Sequence, residues 1–344
     1  MRHSTHHGHV VALDVGGTTM KGGLVSATGQ VLIAERRPTP RADGPLRVIE
    51  AIRAFTGELA AAGPGTPAGV GIAVPGLVTA DTAVYSANIG WKDVPAADLT
   101  ALPLPVRLGH DVRTGGLAES VLGAGRAERD FLFLPIGTGI AGAVVIAGEP
   151  YGGSSSRGGE IGHVPVFPAG ERCACGQTGC LETYASAASV ARRYTERLSR
   201  ATSLHQPAAT WDAYPAAQSP MAPETMTAEQ VVDLAMRGDP DAAAVWDDAL
   251  EALSIALASY TLLLDPAAIV IGGGLAEAGE ALFEPLAERL TARLAFRTAP
   301  PLRRAALGVH AGMLGAALLG WQAAGVPDAG STWTVDVLRS PSVP

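Results

Sequence analysis

The chain is poor in cysteine, in aromatic side chains and in charge. Its only three cysteines lie between positions 173 and 180. An odd, clustered set excludes a disulfide framework. Aromatics make up 5% against 42 glycines, which argues against an aromatic-lined pocket and for close backbone packing with many tight turns. No run reaches the ~18 apolar residues of a membrane span. No signal peptide is seen either, since the start is polar and His-rich. A membrane partner is therefore not expected, and a cytoplasmic location is. A basic excess is missing too: the net charge is −8, which disfavours nucleic acid as a partner. Charged residues are 17% and hydrophobic ones 47%, so little of the chain reads as disordered. His3, His6, His7 and His9 could bind metal, but they read as a disordered terminus.

A length of 344 residues favours two domains, because single cores rarely grow past roughly 250 to 300 residues. Strands are expected at 10–15, 21–26 and 31–35, then a helix over 46–59 and a strand at 68–74. The layout recurs with strands at 131–136 and 143–147. Gly16 and Gly137 hold matching places, each just after the first strand of its half. This points to an α/β, duplicated actin-like ATPase (ribonuclease H-like) fold, with two domains flanking a cleft. A smaller domain would span 1–112, completed by a helix near 312–325. A larger one would span 113–311. Helical character dominates 181–199 and 228–264. A strand at 268–271 and a helix over 279–295 follow. Residues 202–223 read as an inserted flexible loop and 326–344 as a frayed tail.

Five groups of residues carry chemistry. The first runs from Asp14 through Gly16, Gly17, Thr18 and Thr19 to Lys21. Glycines let a backbone approach phosphate oxygens, and successive N–H groups and hydroxyls can donate to them. Asp14 at a strand end can hold a hydrated Mg²⁺; an ordinary glycine hairpin is an equally good reading. The second is Gly137, Thr138 and Gly139, with the same logic in the other half. The third is Gly272, Gly273 and Gly274, where three glycines favour close approach of a nucleotide base or ribose. The fourth joins Glu160 and His163 to Cys173, Cys175, Cys180 and Glu182. One His and three Cys at this spacing form a closed, structural zinc set. The two flanking glutamates can accept hydrogen bonds from sugar hydroxyls. The fifth is Gly109, His110 and Asp111 ahead of a helix. A carboxylate there can take a proton from an alcohol during phosphoryl transfer, or merely cap the helix.

Together these residues resemble the ROK family of bacterial sugar kinases and sugar-operon repressors. The most specific match is E-x-G-H…C-x-C-G-x-x-G-C-x-E from Glu160 to Glu182. D-x-G-G-T, the Pro75-Gly76 pair and N-x-x-W at Asn88 and Trp91 match as well. The resemblance implies ATP as donor, a hexose in the interdomain cleft, and homodimers or homotetramers. It implies sugar contacts by Gly76, Asn88, Asp111, Glu160, His163 and Glu182. It makes Asp111 the general base, and gives His163 one ring nitrogen on zinc and the other toward the sugar.

Two departures stand out. The family's E-N-D before the helix reads Gly109-His110-Asp111 here, which bears on the identity of the sugar. Its G-T-G-x-G-x-G hairpin reads G-T-G-I-A-G-A from Gly137 to Ala143, which bears on the phosphoryl donor. A glucokinase-like activity leads. N-acetylmannosamine, fructose or allose is the second choice of sugar, and a non-catalytic sugar-sensing regulator the third reading. Repressors of the family carry a helix-turn-helix module before D-x-G-G-T, and only thirteen residues precede Asp14 here.

Overall fold

The computed structural model describes residues 8–204 and 226–334. Most of the expected insertion and the end of the expected tail therefore lie outside the described residues, as do His3, His6 and His7.

Three antiparallel strands open the chain: β1 (His9–Val15), β2 (Thr19–Ser26) and β3 (Val31–Pro38). Helix α1 (Pro45–Ala62) follows, with Pro45 at its first position, where the missing N–H costs nothing. Next come β4 (Val70–Val74), β5 (Leu77–Val78), β6 (Thr82–Tyr85), β7 (Lys92–Pro95) and β8 (Val106–His110). Helix α2 (Asp111–Val121) leads on to β9 (Phe131–Pro135), β10 (Ala143–Ile146) and β11 (Glu149–Pro150). A loop then reaches α3 (Glu182–Ala185), α4 (Ala187–Leu204), α5 (Ala228–Met236) and α6 (Pro240–Leu264). The chain ends with β12 (Ala268–Gly272), α7 (Glu280–Arg293), β13 (Leu302–Arg304) and α8 (Ala311–Ala323).

The two large sheets have equivalent orders, β3-β2-β1-β4-β8 and β11-β10-β9-β12-β13. In each, the first three strands are antiparallel and the remaining joins are parallel. Alternation along β1 separates two layers. Val11, Leu13 and Val15 pack with Ile52, Phe55 and Leu59 of α1. Val10 and Ala12 pack with α8. Helix α8 is apolar on all sides, as a helix enclosed by its neighbours must be. It lies so close to the sheet that a Cβ at Gly71 would meet the Ala316 carbonyl at 1.8 Å. On the second sheet, Leu132, Leu134, Ile269 and Ile271 face α6 and α7, while Phe131, Phe133 and Val270 turn the other way, toward Val112 of α2. Helices α2 and α8 thus form the layer between the halves.

Several expectations are corrected. The expected helix over 181–199 breaks at Ser186, which is extended (ψ 152°). The one over 228–264 breaks at Gly238, with φ +90°, and restarts behind Asp239, whose side chain caps Ala242 N–H at 2.7 Å. A third sheet, β5-β6-β7, was not anticipated. The tail does not fray at 326: Trp333 is fully buried, and its indole N–H donates to the Ala27 carbonyl at 3.0 Å. His9 belongs to β1 and is buried. Residues 202–204 of the expected loop close α4.

Candidate active site

A cleft of about 990 Å³ opens between the halves. Gly76, Asn88, His110 and Asp111 line its first-half wall. Gly137, Gly139, Glu160, His163, Cys175 and Glu182 line the other. The six first-hairpin residues, Asp14 to Lys21, do not line this volume, nor do Thr138 and Gly272, Gly273 and Gly274. Strand register explains the first wall. Asp14 pairs with Ala73 and Val74 with His110, so three parallel strands end together and deliver Asp14, Pro75 and Asp111 to one edge.

Asp111 heads α2. Its Oδ1 accepts from the Val112 N–H at 2.7 Å. Burial pushes its carboxyl up to about 7, with Asp14 and Glu160 adding to the rise while the Val112 N–H and Arg113 oppose it. The side chain keeps 30% of its surface open to the cleft, so it is both raised and reachable. The His110 Nδ1 lies 3.1 Å from Asp111 Oδ1, yet it is buried and makes no aligned hydrogen bond. Burial, aided by Arg113, pushes the His110 imidazole down to about 3. The contact is therefore between a neutral ring and a carboxyl, not an ion pair.

The Pro75-Gly76 turn launches the third sheet. Gly76 has φ +97°, and a Cβ there would lie 2.2 Å from the Tyr85 carbonyl. Asn88 sits on the tip of that sheet, in a turn closed by the Gly90 N–H to the Ser86 carbonyl at 2.7 Å and anchored by buried Trp91.

The two hairpins are built alike but braced differently. In the first, Gly16 N–H donates to the Thr19 carbonyl at 2.9 Å, and Thr39 ties the Gly16 and Thr18 carbonyls. In the second, Gly137 N–H donates to the Gly139 carbonyl at 3.0 Å, and Glu182 Oε2 accepts from Ile140 N–H at 2.7 Å. Glu182 thus braces the hairpin as well as lining the cleft. A Cβ at Gly137 or at Gly274 would meet nothing within 4 Å, so both leave room for a ligand. Gly273 needs its φ of +76° to pass the Ile136 carbonyl. Asp14 is pushed up to about 6 by burial, against the pull of Lys21, whose Nζ is 4.0 Å away. No other described side chain partners it, which suits a carboxylate that would hold a hydrated cation.

One ring nitrogen of His163 and the three sulfurs lie within 4.8 Å of one another. The Cys173–His163 and Cys175–Cys180 separations are 3.8 and 3.7 Å. A tetrahedron with metal–sulfur bonds of about 2.3 Å has edges near 3.8 Å. The donor set and its spacing fit a dication such as zinc. The Gln177 amides pull the Cys175 thiol down to about 6, while burial and the neighbouring sulfurs push Cys180 up to about 12. Crowded thiols cannot all ionise until a cation neutralises them.

Sequence reasoning missed Arg113, Thr39 and Glu182's second task. Arg113 is buried and donates to the Ser156 and Gly158 carbonyls at 3.2 and 3.1 Å. It thereby ties the helix carrying Asp111 to the loop carrying Glu160. Only an Arg in the first turn of a helix otherwise rich in small residues signalled it.

The ROK family profile matches residues 10–323. A glucokinase of Halalkalibacterium halodurans is 34% identical over 321 residues, covering 90% of this chain and 93% of that one. An N-acetyl-D-glucosamine kinase of Escherichia coli is 32% identical, covering 89% and 97%. The crystal structure of a ROK glucokinase from Streptomyces griseus, in complex with glucose and AMPPNP, superposes with a TM-score of 0.75 at 27% identity, covering 92% of this chain and all of that one. The profile covers nearly the whole described chain, and the two kinase sequences exceed 30% identity over most of its length: the chain belongs to the ROK family.

Proposed function

We propose that the protein is an ATP-dependent hexose kinase acting on glucose, with Asp111 as general base. One observation carries the reading. A carboxyl raised to about 7 stands on the wall of a cleft whose other side combines Glu160, His163 and Glu182 with a glycine hairpin. A general base works best when its pKa lies near the working pH. Gly76, Asn88, His110, Glu160, His163 and Glu182 hold the sugar, with one hydroxyl directed at Asp111. Asp111 takes the hydroxyl proton. The oxygen then bonds to the terminal phosphorus as the bridging oxygen departs with ADP. Gly16, Gly17, Thr18, Thr19 and Lys21 face the phosphates from one half, and Gly137, Thr138 and Gly139 from the other. Gly272, Gly273 and Gly274 accept the nucleoside. Mg²⁺ near Asp14 would neutralise phosphate charge. Zinc on His163, Cys173, Cys175 and Cys180 would hold Glu160 and Glu182 in place, leaving the second ring nitrogen of His163 for the sugar.

His110 favours a second choice of sugar. An imidazole is larger than an amide and its two nitrogens point apart, so an N-acetylated or otherwise substituted hexose competes with glucose. Exposed apolar side chains at the end of α6, Leu262, Leu263 and Leu264, support assembly into homodimers or homotetramers. No helix among the described residues is long and apolar enough to cross a membrane, and ATP as donor fits a cytoplasmic location. The test is ADP release over a panel of hexoses, with the phosphorylated product identified. Glucose turnover is expected. Absence of ADP release with every hexose would overturn the proposal.

A further inference from the structure

Both chain passages between the halves run side by side at one point. The first leaves α2 through residues 122–130 into β9. The second leaves β13 through residues 305–310 into α8. Glu119, near the end of α2 and fully buried, joins them. Its Oε2 accepts from the Ala124 N–H at 2.7 Å and the Ala306 N–H at 3.3 Å, and its Oε1 from the Leu307 N–H at 2.9 Å. Three backbone donors suit a carboxylate, which offers only acceptors. The room for it comes from Gly123, where a Cβ would lie 1.9 Å from Oε2. Arg303 adds a second tie between the passages, to the Ala124 carbonyl at 3.2 Å and the Glu128 carboxylate at 2.7 Å. Glu119 lines no part of the cleft. A buried acid is costly unless fully partnered, so its place here calls for a reason other than the chemistry.

We propose that Glu119 is a positioning residue that pins the hinge between the halves. The proposal rests on the kinase reading in one respect, that closure over a sugar is what the hinge serves. Two passages cross-linked at one point turn about that point. With the pin in place, α2 and the approach to α8 move together, and the halves close along one path. Without it each passage bends separately, and closure-competent arrangements become a smaller share of the ensemble. Apparent sugar affinity falls in proportion to that share.

The test uses the full chain as wild type, Glu119→Gln and Glu119→Ala. Glutamine keeps the shape but turns an amide N–H₂ toward one of the backbone donors; alanine removes every bond. Small-angle scattering of the free protein needs no activity. A larger radius of gyration is expected in both variants, with less compaction on adding glucose and AMPPNP. In steady state, the glucose KM should rise about tenfold while kcat falls by no more than about threefold. Leu290→Ala, in the second-half core, controls for lost stability: its melting temperature should drop with glucose KM unmoved. Should the alanine variant not fold, the glutamine variant carries the test. Unchanged free-state scattering in Glu119→Gln overturns the pin. Altered scattering with lower kcat and a flat KM makes Glu119 merely structural and overturns the positioning role. A wild type inactive on every hexose would instead sink the kinase reading, and the free-state scattering would still decide the hinge.

Discussion

The two halves share one sheet order and differ in what is inserted into it. The first half inserts the small sheet β5-β6-β7 between β4 and β8, and with it Asn88. The second inserts the Cys–His loop and helices α3 to α6 between β11 and β12, and with them Glu160, His163 and Glu182. The glycine hairpins sit at equivalent places in both. On the proposed reading, phosphate handling, the part common to any sugar, lies on the duplicated frame. Most sugar contacts on that reading, Asn88, Glu160, His163 and Glu182, lie on insertions that have no counterpart in the opposite half, while Gly76, His110 and Asp111 meet the sugar from strand ends of the frame. Asp111, the proposed base, heads the helix between them. If the proposed roles hold, function divides largely along the repeat: what is duplicated handles the donor, and what is unique supplies most of the acceptor contacts.

The division can be broken hardest at its centre. Asp111→Asn should lower turnover roughly 10² to 10⁴-fold, the usual worth of a general base, with sugar affinity kept within a few fold. The same change should raise stability. The folded carboxyl is raised from 3.8 to about 7, so its favourable contribution is full below the unfolded value and lost as pH rises through the folded one. Above that range the buried charge costs stability, and asparagine removes it. A melting temperature higher by about 2–5 °C at pH 8, and no gain at pH 4, is expected by thermal melts.

Cys175→Ser tests the insertion alone. The protein should lose its metal in elemental analysis, and loosening of the Glu160 and Glu182 loop should raise sugar KM roughly tenfold. AMPPNP affinity should move less, though not by zero, because Glu182 also braces the second hairpin. Fully active protein purified without any metal would contradict the site.

Gly137→Ala tests the frame. Its Cβ meets no protein atom, so the fold should survive. Crowding of the phosphate cradle should raise nucleotide KM several-fold, with sugar affinity unchanged, in titrations of each substrate separately. Equal effects on both substrates would blur the division between frame and insertion.

The smallest effect is expected at His110. His110→Asn should shift the ranking of hexoses toward glucose by about three- to tenfold in kcat/KM, the value of one matched hydrogen bond. An unchanged ranking would mean that His110 does not read the sugar.

Much of this was legible in the chain because it rests on local rules. The short apolar run of β1, glycines after β1 and β9, and four metal ligands in one short block each carry their own physics. What was hidden depends on distant partners. Strand β7 reads Lys-Asp-Val-Pro, too polar and too short to signal a strand alone. Glu119 looks like any surface acid on a helix until residues 306 and 307 arrive from the far end of the chain. Trp333 sits in a polar tail, and its indole N–H bonds to Ala27 beside Gly29, some three hundred residues earlier. Gly238 ahead of Asp239-Pro240 is the exception. That pattern of helix stop, cap and first-turn proline was present in the sequence and was read through.

One carboxyl stands between frame and insertions, and the pH dependence of kcat/KM for glucose reads it directly. That profile reports the free enzyme's essential base. The wild type should gain activity with rising pH through a single ionisation near 7, because Asp111 must lose its proton before it can accept one. The residual activity of Asp111→Asn should lack that limb. A wild-type profile flat from pH 5 to 9, or the same limb persisting in Asp111→Asn, would contradict the assignment of Asp111 as the base.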